Sequence, residues 1–148
     1  MGQSIEKLRR LVGSELAPSD WFRIDQERVI RFAGAANDEN AWSHTDPVRA
    51  EVFGGATVQG LLLLSLAPYL LRPHLGLPEG CGNGLNYGFD KLRFTNVVRV
   101  GKRVRARATL MAFEPWRDIG WKKTLSFAID IEDEVKPALI ADWSMVYM

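Results

Sequence analysis

Residues 57–71 read TVQGLLLLSLAPYLL, and a helix drawn through them is apolar on nearly every side. Leucine and alanine favour the helix until Pro73, which cannot continue it. Such a helix must be surrounded by protein. The stretch Leu61 to Leu71, with Ser65 and Pro68 inside it, is about half of the roughly 20 residues that cross a bilayer. It reads as a buried central helix, with no membrane span.

What could surround it follows in the sequence. Val104, Ala106, Ala108, Leu110 and Ala112 alternate with Arg103, Arg105, Arg107 and Thr109, the two-residue repeat of a strand with one buried face. Leu125, Phe127, Ile129 and Ile131 repeat the pattern, and so do Ala141, Trp143, Met145 and Tyr147. Turn residues at Glu114–Gly120 and Glu132–Pro137 would join these three strands as an antiparallel meander. An earlier strand is expected from about Asn86 to Phe94. The layout is α+β: a long antiparallel sheet wrapped around a central apolar helix.

Ahead of that helix, Ser4 to Leu16 has helical spacing until Pro18-Ser19-Asp20 breaks it. A second helix is expected over Gln26–Ala35, capped by Asp25, with Val29, Ile30 and Phe32 on its apolar side. Asn37 to Pro47 reads as a polar loop, with Asp46-Pro47 as a turn or cap, and Val48 to Val52 as a short helical piece.

Composition narrows the function classes. The chain of 148 residues is 47% hydrophobic and 25% charged, in the range of one soluble domain spanning 1–148. A net charge of +1 gives no field for nucleic acid or an anionic membrane. The single cysteine, Cys81, excludes an internal disulfide, and with two histidines it cannot build an all-Cys/His structural zinc site. The start, MGQSIEKLRR, lacks the apolar core of a secretory signal. These features fit a cytoplasmic protein.

Four stretches carry a family resemblance in order along the chain: SDWFRIDQERVIRFAGAANDENAWSHTDPVRA, FGGATVQGLLLLSL, LNYGFDKLRF with VGKRVRARATL, and KPALIADWSMVYM. They resemble the MaoC-like dehydratases, especially the branch of nodulation protein N-like enzymes and R-specific enoyl-CoA hydratases. The resemblance implies a hot-dog fold, usually paired with a second copy as a homodimer. It also implies action in fatty acid metabolism on acyl chains held as thioesters of coenzyme A or a carrier protein, with no metal or redox cofactor. The family pattern is Gly-Asp, a few residues, then His-x-Asp, with an Asp and a His as the catalytic pair. Here the matching stretch is Asn37 to Pro47. Counting forward from Phe32 puts the aspartate at Asp38, and counting back from His44 puts it at Glu39. Asp38 keeps the residue type and is taken first, with Glu39 as the alternative. The family's usual histidine before the helix is Gln59 in this chain. Gly60, Gln59, Asn40 and Tyr87 fall at positions the resemblance assigns to the oxyanion or substrate.

Hydrating a conjugated thioester requires a base for water, an acid for C2 and hydrogen-bond donors for the thioester oxygen as the enolate forms. Asp38 and His44 could hold one water between them. Backbone N–H groups at the start of the central helix could hold the oxyanion. Gly60 there would either let the thioester approach the backbone or let the helix pack closely on the sheet. Lys102, Arg103, Arg105 and Arg107 could meet coenzyme A phosphates or form the solvated face of a strand. Tyr87 and Trp42 could shape a pocket or pack structurally, and His74 reads as a surface residue. The leading reading is a reversible enoyl-thioester hydratase. The alternatives are a hot-dog acyl-CoA thioesterase and a non-catalytic acyl-thioester-binding or partner subunit.

Overall fold

The alternating stretches become three of the four long strands of one antiparallel sheet in the computed structural model, which describes residues 2–38 and 40–148. These are β4 (Arg103–Trp116), β5 (Gly120–Ile131) and β6 (Leu139–Tyr147), joined as the expected meander. The fourth long strand, β3 (Gly84–Phe94), pairs with β6 and ends the order β1-β4-β5-β6-β3. Two short strands that periodicity did not show, β1 (Glu15–Leu16) and β2 (Phe22–Arg23), both pair with β4.

Val104, Ala106, Ala108 and Leu110 face the core, as do Leu125, Phe127, Ile129 and Ile131 opposite them. The expected phase then fails at Ala112. A register shift between Leu110 and Ala112 moves the alternation by one residue, so Phe113 is the next buried side chain. Its ring stacks on Trp121 with centroids 4.7 Å apart.

The central helix departs from its expectation in two ways. It is divided into α5 (Gly60–Ser65) and α6 (Ala67–Leu70), because Pro68 has no N–H to donate to the Leu64 carbonyl and its ring crowds that oxygen. It is also not surrounded. Leu62, Leu63, Leu66, Ala67, Leu70 and Leu71 pack into the sheet's interior, while Leu61 and Tyr69 remain 62% and 49% exposed. One sheet covers one side of the helix, and among the described residues the outward side around Leu61 and Tyr69 stays open.

At the amino end, α1 (Ile5–Leu11) stops short of Leu16. Gly13, at φ 85°, turns the chain out of the helix and into β1. Helix α2 (Gln26–Ala35) forms over the expected residues, with the Asp25 carboxylate accepting from Arg28 N at 2.9 Å, but of its expected apolar side Val29 is buried and Ile30 is exposed. The loop expected over 37–47 contains a helical turn, α3 (Trp42–Thr45), and α4 (Pro47–Ala50) follows it. Asp46 caps α4 by accepting from the Val48 and Arg49 N–H groups at 3.1 Å each. Among the described residues no helix is long and apolar enough to cross a membrane.

Candidate active site

His44 stands on α3, half-buried, and its ring is held by one residue of the strand-like segment that leads into α5. Nδ1 lies 2.7 Å from the Thr57 carbonyl oxygen and 2.9 Å from Thr57 Oγ1. A carbonyl can only accept, so Nδ1 carries the proton and Nε2 keeps the lone pair of the neutral ring. Thr57 is itself fixed by backbone pairing with the segment before β4: Val58 N donates to Val98 O at 2.8 Å and Val100 N to Ala56 O at 3.0 Å. Arg99 adds a side-chain bond to Gly55 O at 2.8 Å. From the other side, Gln26 of α2 donates to the His44 carbonyl at 2.7 Å.

Beside this ring is a cavity of about 270 Å³ whose walls include His44, Thr57, Gly60, Leu63, Phe94 and Val97. Gly60 opens α5. The residue before it, Gln59, has extended backbone, and the first turn closes with Leu63 N donating to Gln59 O at 3.1 Å. The N–H groups of the first turn therefore lack partners within the helix. A Cβ built on Gly60 would lie 2.7 Å from Cδ1 of Phe94. Both readings of this glycine meet here, since it packs closely on Phe94 and also borders the cavity.

The structure brings His44 and Gly60 together on one cavity, and Asp38, Asn40, Gln59 and Tyr87 are not among its described walls. Asp38 lies in the exposed loop between α2 and α3, its carboxylate accepting from the Asn40 N–H at 3.2 Å, and neither residue is among the described walls of the cavity. Glu39, the alternative to Asp38, lies outside the described residues. Gln59 is buried, 7% exposed, and donates to the Val29 carbonyl of α2 at 3.0 Å. Tyr87 does not approach the cavity within one chain. It sits in a register shift of β3, exposed, with its ring 4.8 Å from that of Trp116. At about 3.3 Å per residue, roughly 20 Å of strand separates it from Phe94.

The basic run on β4 is engaged by carboxylates across the β4–β5 pair. Arg107 makes two bonds to Asp130, at 2.6 and 2.9 Å, and Arg105 lies 3.6 Å from the same carboxylate and 4.7 Å over the Trp21 ring. Arg103 pairs with Glu132, and that hydrogen bond holds the Glu132 carboxyl below its ordinary range. This is the strand-face alternative, with the guanidinium groups turned to acids instead of to a phosphate. Trp42 is half-buried under the Arg49 guanidinium, 4.8 Å from the ring centre.

His74 is no free surface residue. Its Nε2 lies 2.8 Å from the Ala17 carbonyl, and its own carbonyl accepts from Lys123. Lys123 is a further feature that the sequence reading missed. It is 1% exposed, donates to Gln3 Oε1 at 3.1 Å, His74 O at 3.0 Å and Gly76 O at 3.4 Å, and lies 4.9 Å over the Tyr147 ring. Burial pulls its pKa down to about 8 and pushes Tyr147 up to about 12. Extending the inward phase of β5 back from Leu125 by two residues would have found it.

Solved structures with the same arrangement define the class of fold. A MaoC-like dehydratase from Rhodospirillum rubrum aligns with a TM-score of 0.76 at 19% identity, over 99% of this chain and 97% of that one. An (R)-hydratase from A. caviae involved in PHA biosynthesis aligns with a TM-score of 0.71 at 28% identity, over 90% and 94%. The fold is the hot-dog. At the level of sequence, residues 7–127 match the profile of the MaoC like domain. The chain is 34% identical over 148 residues to 3-hydroxyacyl-thioester dehydratase Z of Mycobacterium tuberculosis, covering 99% of this chain and 97% of the relative. It is 38% identical over 145 residues to Nodulation protein N of Rhizobium meliloti, covering 95% and 88%. The protein belongs to the MaoC-like dehydratase family.

Proposed function

We propose that this protein adds water reversibly across the C2–C3 double bond of a trans-2-enoyl-CoA to give the (R)-3-hydroxyacyl thioester, with Asp38, His44 and Gly60 as the working groups. The reaction class, hydration and dehydration of enoyl thioesters, follows from membership in a dehydratase family and from the thioester dehydratase and (R)-hydratase among its relatives. The observation that carries the assignment of His44 and Gly60 is the cavity that both border, and Asp38 is assigned from the family pattern.

The tautomer fixed by Thr57 decides the part His44 plays. Its Nε2 lone pair accepts one O–H of the water and holds it. The Asp38 carboxylate takes the other proton as the oxygen bonds to C3. The electron pair of the C2–C3 π bond moves toward the thioester oxygen, where the Gly60 N–H receives the charge. Asp38, now protonated, returns that proton to C2. Coenzyme A enters as part of the substrate, and the scheme uses no further cofactor.

The same reading includes a homodimer and a role in fatty acid metabolism in the cytoplasm. Support for the dimer is the outer edge of β3, along which Leu85, Tyr87 and Phe94 are each about half exposed. Two structural neighbours bear titles that describe complexes, ChsH1–ChsH2 and HadBC of M. tuberculosis.

The test is the ultraviolet absorbance of the conjugated thioester, followed with crotonyl-CoA and longer trans-2-enoyl-CoAs together with a free-thiol assay. Loss of absorbance without thiol release is expected. Asp38→Asn and His44→Ala should each lower kcat by about 10²–10⁴-fold, while Glu39→Gln should retain activity. Thiol release would instead identify a thioesterase, and a fully active Asp38→Asn protein would remove Asp38 from the scheme.

A further inference from the structure

Gln59 is the position at which this chain carries glutamine where the resembling family commonly has histidine, and the structure gives that glutamine a definite task. Its carboxamide is more than nine-tenths buried. The nitrogen end donates to the Val29 carbonyl at 3.0 Å. That orientation is forced, because a carbonyl oxygen facing another carbonyl would have no proton between them. The opposite end, Oε1, is buried and has no hydrogen-bond partner among the described residues.

Packing alone does not account for such a residue. Leucine or methionine would fill a similar volume without burying an unpartnered acceptor, which is a destabilising feature. What glutamine supplies that they cannot is the bond to α2. Helix α2 makes a second bond of the same kind one turn earlier, where Gln26 donates to the His44 carbonyl at 2.7 Å. Positions 26 and 29 are three apart and therefore neighbours on one side of the helix. Val29 is fully buried, and Asp25 caps the helix start. One short, anchored stretch of α2 thus grips the backbone that carries the histidine and the residue that immediately precedes Gly60.

We propose that Gln59 is a positioning residue for the hydration reaction: through Val29 it fixes the start of α5, and with it Gly60, relative to the His44 turn that the same helix holds through Gln26. This inference rests on the hydratase reading above. Gln59 touches neither substrate nor water in it. Its effect is on the separation between the group that holds the water and the group that receives the enolate charge, a separation to which rate is more sensitive than binding.

The experiment measures kcat and KM for crotonyl-CoA hydration in Gln59→Leu, Gln59→Glu and Gln59→His, with thermal unfolding of each. Gln59→Leu and Gln59→Glu, neither of which can donate to the Val29 carbonyl as a leucine or a carboxylate, are expected to lose about 10- to 100-fold in kcat with KM changed by less than about threefold. Gln59→His has a ring N–H to offer that carbonyl and is expected to recover most of the lost kcat. A structural role alone would instead order the variants by stability, with kcat per folded molecule intact. Wild-type kcat in Gln59→Leu overturns the inference, as does a histidine variant no better than the glutamate one. A wild-type protein inert toward all enoyl thioesters would overturn the hydratase reading itself, which an active wild type with an active leucine variant would not.

Discussion

The meander β4–β6 and the segment from Ala36 to Gly60 are held in place by different means. In the meander the paired residues are fixed by ladder bonds to the neighbouring strand and by an interior of Leu110, Leu125, Phe127, Ile129 and Trp143. In the segment, scattered backbone bonds such as Thr57 N to Ser43 O and Val58 N to Val98 O are joined by single side-chain bonds: Gln26 to His44 O, the His44 ring to Thr57, Asp46 to the start of α4, Arg99 to Gly55 O. Redundant contacts make a region stable, and solitary ones leave it adjustable in fine position. The proposed site lies in the second kind of region, leaning on the first. The two regions should therefore respond oppositely to substitution, one in stability and the other in turnover.

Leu125→Ala would sharpen that contrast most. Leu125 is fully buried opposite Leu110, and truncation leaves a cavity in a layer with no freedom to collapse. Chemical denaturation should show a loss of about 3 kcal/mol, with kcat per folded molecule retained. A protein that keeps its stability but loses turnover would break the proposed division.

Gly60→Ala should do the reverse, and it decides between packing and approach at that residue. The added methyl meets the Phe94 ring, which is 49% exposed and can swing outward, so stability should fall by only about 1 kcal/mol. Turnover should fall by about a hundredfold, the effect of impairing one oxyanion donor. Adding Phe94→Leu makes room for the methyl. If close packing is all that Gly60 provides, the double variant regains both stability and activity. If approach of the thioester to the backbone matters, stability returns and kcat/KM does not.

The same contrast governs what the sequence could disclose. Strand phase was readable in β4, β5 and the first half of β6 because burial on one face repeats every two residues there, whereas the end of β6 is buried on both faces. It failed where an insertion of one residue, invisible to a periodic pattern, shifted β4 at Met111. The pairs β1–β4 and β2–β4 are only two residues long, too short for any period to register. At the site, His44 and Gly60 were singled out through the family resemblance together with the residue types the chemistry needs, and both border one cavity. Tyr87 was singled out by the family resemblance, and it sits in a register shift of β3 with its ring against Trp116. Thr57 and Gln26, which orient His44, gave no signal at all: a threonine carbonyl and a helix-surface glutamine acquire roles only when three elements have already met.

Lys123 offers the most diagnostic effect, because it is a buried cation held by three neutral oxygens inside the redundant region. In the folded protein its pKa lies near 8, whereas in the unfolded chain it returns to about 10.4. Between those values the unfolded state binds more protons, so stability should rise as pH increases from about 8 to about 10. Tyr147, pushed up to about 12, acts in the opposite sense. Its folded form keeps a proton that the unfolded chain releases near pH 10, so stability should fall above that point. From these two groups a rise in denaturation midpoints between about pH 8 and 10 and a fall above it are expected, the rise coming from an ammonium held by neutral oxygens. Lys123→Met should abolish the rise between pH 8 and 10 and leave the fall above 10. If the rise persists in that variant, another group carries it, and the tie from β5 to Gln3, His74 and Gly76 contributes packing but no titration.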